Sequence, residues 1–327
     1  MTTQPNAEEL SRTTRPAPRP EVAAFLDRLA LEAGPPLAEL DVATARDQMR
    51  TRSRELWGSV EHVAHLANLT VPVHGGLVAR IYRPTLEHLP AVVYFHGGGW
   101  VVGDIETHDG VCRRLANAAR CAVISVGYRL APEHPFPAAA DDAIAAATWI
   151  HASADELGVD QERISVVGDS AGGNLAAVAA RHLSEQGLRL ASQVLLYPVT
   201  DVRTDTASYE ANADGPYLTR ADMQWYLGHY VRDDADLLDP DLAPLRAIAL
   251  SGLPPGYVAT CELDPLRDDG TAYADSLRAA SVEVTLEEWS GMIHGFLLMR
   301  EVTPAADELI ATVVRFLVDS WTSREAG

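Results

Sequence analysis

Ile164-Ser165-Val166-Val167-Gly168-Asp169-Ser170-Ala171-Gly172-Gly173-Asn174 is the stretch on which the reading of this chain turns. Its first four residues are apolar or small and carry the β-branched character of a buried strand. An alanine-rich stretch follows, with the pattern of a helix over residues 171–186. A serine therefore stands at a sharp strand-to-helix turn. Such a turn needs small neighbours two residues away on each side, and Gly168 and Gly172 supply them. The helix opening at Ala171 aims its unpaired N–H groups and the positive end of its dipole at the turn. Negative charge developing there during acyl transfer would be favoured. The bland alternative is a glycine-rich turn that only lets helix and strand pack closely. The strand before it and the helix after it make Ser170 a candidate nucleophile, with Gly168, Asp169 and Gly172 in support.

The same alternation runs outward in both directions. Residues 77–82, 91–95, 121–126, 164–167, 193–197, 256–260 and 282–289 read as strands, several of them apolar throughout, as in parallel strands buried on both faces. Between and after them, residues 107–119, 137–157, 171–186, 268–280 and 304–321 read as helices. Strands alternating with helices give an α/β fold, a mostly parallel sheet flanked by helices, with functional residues at the carboxyl ends of the strands. Residues 1–20 are polar, rich in Pro and Thr, and predict a mobile arm; residues 21–57 predict helix. Residues 200–250, acidic and irregular with a predicted helix over 219–231, break the alternation and read as an insertion over the strand ends. One domain over 1–327 is expected.

Composition narrows the function. The chain has 327 residues, 47% of them hydrophobic, and a formal net charge of -20. It can bury a large core, but it has no basic footprint for nucleic acid, and an anionic membrane surface would repel it. Cys112, Cys121 and Cys261 are widely spaced and odd in number, which reads as reduced thiols in a cytoplasmic protein. The first residues lack a basic and then apolar leader pattern, and no apolar run is long enough to span a bilayer.

Three further segments carry chemistry. His96-Gly97-Gly98-Gly99-Trp100 follows the strand 91–95, and its glycines let backbone N–H groups face a cavity unobstructed. Together with the N–H of the residue after the nucleophile, Ala171, such a loop forms an oxyanion hole. Gly97, Gly99 and Gly103 also have the spacing of a loosened dinucleotide fingerprint, but the next strand ends Val126-Gly127-Tyr128-Arg129, without the acidic residue that would hold a ribose. Asp264 follows the strand 256–260, with Asp268 and Asp269 as competing acids further into the next helix. His294 follows the strand 282–289 and is the last histidine of the chain. The order serine, acid, histidine is that of a Ser-Asp-His triad on this kind of sheet. No Cys/His cluster has metal-ligand spacing, so neither a metal nor an organic cofactor is expected.

These motifs, with Tyr128-Arg129-Leu130-Ala131-Pro132-Glu133-His134-Pro135-Phe136-Pro137 and Asp264-Pro265-Leu266-Arg267-Asp268, resemble the bacterial hormone-sensitive-lipase-like (family IV) esterases of the α/β-hydrolase fold. The resemblance covers residues 77–296. It implies an eight-stranded sheet, a helical cap formed by about 1–57 and about 200–250, and an oxyanion hole from Gly98, Gly99 and Ala171. It implies a serine carboxylesterase acting through an acyl-enzyme on a small-molecule ester. Amide or carbamate hydrolysis by the same residues, a non-catalytic ligand receptor of the same fold, and an interfacial lipase are the alternatives. A small aromatic content of 6% weighs against the lipase. Trp100, and Met223, Trp225 and Tyr226 on the insertion's helix, are the candidates to line the substrate pocket. Glu133 has no derivable chemical role and reads as a structural carboxylate. A homodimer is compatible with all of this.

Overall fold

The computed structural model describes residues 16–32, 34–73 and 75–325. Eight strands form one sheet: β1 (His65–Val71), β2 (Leu77–Arg83), β3 (Leu89–Phe95), β4 (Ala122–Gly127), β5 (Val159–Asp169), β6 (Ser192–Leu196), β7 (Gly256–Leu263) and β8 (Val284–Ile293). Their order is β1-β2-β4-β3-β5-β6-β7-β8, and only β2 runs against the rest. Successive side chains of a strand face opposite ways. Val93 and Phe95 of β3 thus join one core with Val166 and Leu195, covered by α4 (Ala138–Ala152), α6 (Ala171–Glu185) and α9 (Arg267–Ala279). Val92 and Tyr94 join the other, covered by α3 (Asp109–Ala119) and α10 (Ala305–Glu325).

Each strand read from the sequence is present. β1 is not legible in the sequence, because all its residues but Leu69 and Val71 are exposed and an edge strand shows no apolar run. The helical region near the amino end is two helices, α1 (Pro20–Leu31) and α2 (Val42–Trp57). Pro35 and Pro36 separate them, and Asp41 starts the second by accepting the N–H of Thr44 at 2.9 Å. The helix predicted over 137–157 stops at Ser153, and α5 (Ala154–Leu157) continues it for one turn. Most of the predicted arm lies outside the described residues. At its described end, Arg19 donates its backbone N–H to the Gly291 carbonyl at 3.0 Å.

Between β6 and β7 lie α7 (Ala207–Ala211) and α8 (Arg220–Tyr230), the second begun by a capping box of Thr219 and Asp222. α8 packs against the short 3₁₀ turn Leu37–Glu39 between α1 and α2. Among the described residues no helix is long and apolar enough to cross a membrane.

The loop after β4 is fixed by one buried carboxylate. Asp142 of α4 is fully buried; it accepts the Arg129 backbone N–H at 2.8 Å and the Arg129 guanidinium at 2.7 Å. Removing the carboxylate leaves a backbone donor unpaired and a partly buried guanidinium with only the Ala138 carbonyl at 3.4 Å. Asp142→Ala is therefore expected to lower the unfolding free energy by about 3 kcal/mol in urea titrations. A loss below about 1 kcal/mol would show that the pair does not hold the loop.

Candidate active site

Ser170 sits between β5 and α6 with φ 56° and ψ -121°, a left-handed conformation that costs a serine strain. The surroundings impose it. A Cβ at Gly168 would strike the Gly172 carbonyl, and one at Gly172 would strike the carbonyls of Phe95 and His96. The glycines thus let the turn lie directly on the end of β3, as the elbow pattern requires. Ser170 donates its N–H to the Leu196 carbonyl at 2.8 Å, and Asn174 donates its side-chain N–H groups to the carbonyls of Val199 and Leu242 at 3.0 and 2.8 Å.

His294 follows β8 and reaches across to the turn. Its Nδ1 lies 2.7 Å from Asp264 Oδ2 and its Nε2 lies 2.9 Å from Ser170 Oγ. A carboxylate only accepts, so the Nδ1 proton points at Asp264 and the Nε2 lone pair is left to accept from the serine hydroxyl. Asp264 is fully buried, and its other oxygen accepts the Leu266 N–H at 2.9 Å. The Tyr197 ring meets the imidazole edge-on, with centroids 4.8 Å apart. The competing acids are engaged elsewhere. Asp268 accepts the Ser208 N–H at 2.7 Å. Asp269, in the first turn of α9, is buried under the start of the insertion, where it accepts the Asp201 N–H at 3.3 Å, and burial pushes its carboxyl well up.

The loop His96–Gly99 borders the same space. Gly98 and Gly99 have φ of 118° and 58°, and a Cβ on Gly98 would run into the Val102 carbonyl. The Gly97 carbonyl accepts from His96 Nδ1 at 2.9 Å, and the Gly98 carbonyl accepts the Val101 and Val102 N–H groups at 3.1 and 2.9 Å. In a trans peptide the C=O and the following N–H point opposite ways. The N–H groups of Gly98 and Gly99 are therefore turned away from these bonds, and no hydrogen bond among the described residues engages them or that of Ala171. Gly97, Gly98, Gly99, Ser170 and His294 line one cavity of about 410 Å³.

A buried network ties the loop to the turn. Asp169 Oδ1 accepts the Tyr94 hydroxyl at 2.7 Å and the Gly97 N–H at 3.1 Å, and Oδ2 faces His108 Nε2 at 3.3 Å. Burial alone would raise the Asp169 carboxyl, but His108 and the Tyr94 hydroxyl outweigh it and hold the group below its usual range. His96 stacks on Tyr128 at 4.2 Å, and the Tyr128 hydroxyl donates to the His96 carbonyl at 2.7 Å. Burial first, and then the neighbouring His108, push the His96 imidazole down to about 4. Nothing in the spacing of Tyr94 and His108 separates them from core residues, and Tyr128 enters the sequence reading only as the first residue of a motif, without a role.

The pocket candidates divide. Met223 and Tyr226, one turn apart on α8, line the cavity, and a Cβ on Gly99 would strike the Tyr226 ring. Trp100 does not line it: it is fully buried and stacks on Tyr230 at 4.6 Å, because its positive φ turns the side chain back into the core. Trp225 does not either: one residue before Tyr226, it projects from another face of the helix and packs on His229 at 4.5 Å. Leu29, Leu37 and Met49, from the amino-terminal helices and their connecting turn, complete the apolar wall. Only their place in a region read as helical pointed to them. Glu133 is more than half exposed and lies bidentate on Arg46 of α2, which holds its carboxyl down to about 2.

Comparison with known proteins agrees with this geometry. A family description, alpha/beta hydrolase fold, matches residues 92–298. The chain is 43% identical over 266 residues to the carboxylic ester hydrolase LipN of Mycobacterium tuberculosis, covering 79% of this chain and 70% of that protein. It is 37% identical over 312 residues to an ethyl acetate hydrolase of Pseudomonas putida, covering 91% and 98%. Among solved structures, the hyperthermophilic esterase of Pyrobaculum calidifontis superposes with a TM-score of 0.88 at 39% identity, over 93% of this chain and 98% of that one.

His96 makes the site's support sensitive to acid. In the unfolded chain the imidazole takes a proton below about pH 6.5, whereas in the folded one it resists protonation until about 4. Stability is therefore lost as pH falls through that window, by up to about 3 kcal/mol at this residue. His96→Asn keeps a donor for the Gly97 carbonyl but does not titrate. Its unfolding free energy is expected to fall less than that of the parent between pH 6.5 and 4; identical slopes would refute the burial effect.

Proposed function

This chain belongs to the α/β-hydrolase family, in its hormone-sensitive-lipase-like branch, and is a serine carboxylesterase; from that premise we propose that Ser170, His294 and Asp264 are its catalytic residues and small neutral esters its substrates. The observation that carries the assignment is the double commitment of His294, at 2.7 Å to a buried carboxylate and 2.9 Å to a strained serine. In the proposed reaction Ser170 Oγ attacks the ester carbonyl carbon while its proton passes to His294 Nε2. Asp264 balances the imidazolium through Nδ1–H. The carbonyl oxygen, now carrying the charge, is met by the free N–H groups of Gly98, Gly99 and Ala171. The tetrahedral species collapses as His294 returns the proton to the leaving alkoxide, releasing the alcohol and leaving an acyl-serine. Water then attacks with His294 again as base, and the acid departs.

The cavity supports the substrate class. Its volume of about 410 Å³ is modest, and its wall is apolar where Leu29, Leu37, Met49 and Met223 meet. The amino-terminal helices and α8 together act as a cap, which suits single dissolved molecules and excludes bulky aggregates. Similarity to an ethyl acetate hydrolase supports short acyl groups. A net charge of -20 disfavours anionic esters, nucleic acid and anionic membranes, and three buried thiols without disulfides support a cytoplasmic setting.

Two measurements test this reading. Ser170→Ala and His294→Ala are each expected to cost about 10⁴ or more in kcat with the fold intact, and Asp264→Asn somewhat less. Asp268→Asn should act mainly on stability. A folded Ser170→Ala protein with near-native turnover, or an Asp268→Asn variant more damaged in kcat than Asp264→Asn, would overturn the assignment. For the substrate, kcat/KM on p-nitrophenyl esters should rise by up to about four-fold per added methylene and then fall as the chain outgrows the cavity. Highest activity on long chains, with a jump above the solubility limit, would identify an interfacial lipase instead.

A further inference from the structure

Arg46 lies on α2, outside every motif, yet it is the most heavily engaged side chain between the amino-terminal helices and the oxyanion loop. It is four-fifths buried. Its Nε donates to the Val101 carbonyl at 2.9 Å and its Nη2 to the Ala131 carbonyl at 2.9 Å, besides the pair with Glu133 at 2.7 Å. Glu133 is exposed, and an exposed pair contributes little. The two carbonyl bonds are the informative ones, because a guanidinium is permanently charged and here spends that charge on main chain.

The Val101 bond leads into the site. The peptide whose C=O accepts from Arg46 ends in the Val102 N–H, and that N–H donates to the Gly98 carbonyl at 2.9 Å. The Gly98 peptide in turn ends in the Gly99 N–H, which has no partner among the described residues and borders the cavity beside Ser170. Both peptides are trans, so their dipoles lie head to tail from the guanidinium to the Gly99 proton. A cation at the head of such a chain polarises each successive bond, and hydrogen bonds to charged groups are the stronger ones. The order of donors has the useful sign: each step makes the next N–H more positive, and the last one faces the point where negative charge develops.

We propose that Arg46 is a positioning residue for the oxyanion donor at Gly99, orienting and polarising that N–H through the Val101–Val102 and Gly98–Gly99 peptides. The proposal rests on the reading of Gly99 as an oxyanion donor given above. It gives the amino-terminal cap helix a share in the chemical step, beyond shaping the pocket.

The test separates this role from simple tethering of the helix. Arg46→Met is expected to lower kcat about ten-fold with KM within two-fold, and to weaken a trifluoromethyl ketone of matched chain length by the same factor, since its alkoxide adduct uses the same donors. Arg46→Lys, which keeps a cation for the Val101 carbonyl, should recover part of the loss, and Arg46→Gln should not. Glu133→Gln, which keeps both carbonyl bonds, should stay within two-fold of the parent. A near-native kcat in Arg46→Met, a loss confined to KM with the ketone unaffected, or Glu133→Gln as damaging as Arg46→Met would overturn the proposal. If Arg46→Met does not fold, the comparison of Lys with Gln decides: equal kcat values refute the relay. Ser170→Ala is run alongside; turnover surviving there would refute the triad itself, whereas a normal Arg46→Met beside a dead Ser170→Ala refutes only the relay.

Discussion

The site depends on one close approach, that of the β5–α6 turn to the end of β3. The two strands are parallel neighbours with Phe95 opposite Gly168, so their carboxyl ends emerge side by side. The lack of a side chain at Gly172 lets the turn rest on the Phe95 and His96 carbonyls. Asp169 then closes the contact, holding the Gly97 N–H at 3.1 Å from the residue next to Ser170. The serine and the loop that carries Gly98 and Gly99 are thereby tied to the same carboxylate. Catalytic groups held this way need little reorganisation during reaction, and displacements near 1 Å are expected to be costly.

This explains which parts of the molecule could be read from the sequence. The approach of two backbones is written in glycines at 97–99, 168 and 172, and the order Ser170, Asp264, His294 follows from where strands end. Local pattern therefore located the groups that His294 joins. The strands buried on both faces were legible for the same reason, being apolar throughout. β1 was not, since it is mostly exposed and pairs along one edge only. Side-chain direction was not legible either. Trp100 and Trp225 are the residue types expected in a pocket, but a positive φ turns the first into the core and the helical phase of α8 turns the second aside. Asp269 shows the same gap: two aspartates at adjacent positions have opposite surroundings, one exposed enough to pair with Arg267 and one buried.

The long insertion is also less separate from the chemistry than its sequence suggests. Its root is fastened to the loop that carries Asp264. The Thr200 hydroxyl donates to the Asp269 carbonyl at 2.7 Å, and the Ser208 hydroxyl donates to the Pro265 carbonyl at 2.6 Å. The Asn212 side chain donates to the carbonyl of Asp264 itself at 3.3 Å. Further along, Met223 and Tyr226 form the cavity wall, so the segment that shapes the substrate space also braces the acid that orients His294.

The amino-terminal helices do the equivalent for the loop proposed to hold the oxyanion. Arg50 of α2 holds Asp104 at 2.7 Å, just beyond that loop, and Ala45 and Met49, each one residue before an arginine, reach the cavity. One helical face thus presents wall residues while the adjacent stripe grips the loop, Arg46 by the Val101 carbonyl and Arg50 by the Asp104 side chain, a division that the 3.6-residue period allows without any motif. The sheet and the turn supply the fold common to a whole family, whereas the two added segments line the cavity over the strand ends. Because each added segment is bonded to a different part of the machinery, substitutions that alter the pocket wall are not expected to be neutral toward the groups beneath it. Wall changes on α2 are expected to be felt toward the Gly98–Gly99 side, and those near the root of the insertion toward Asp264.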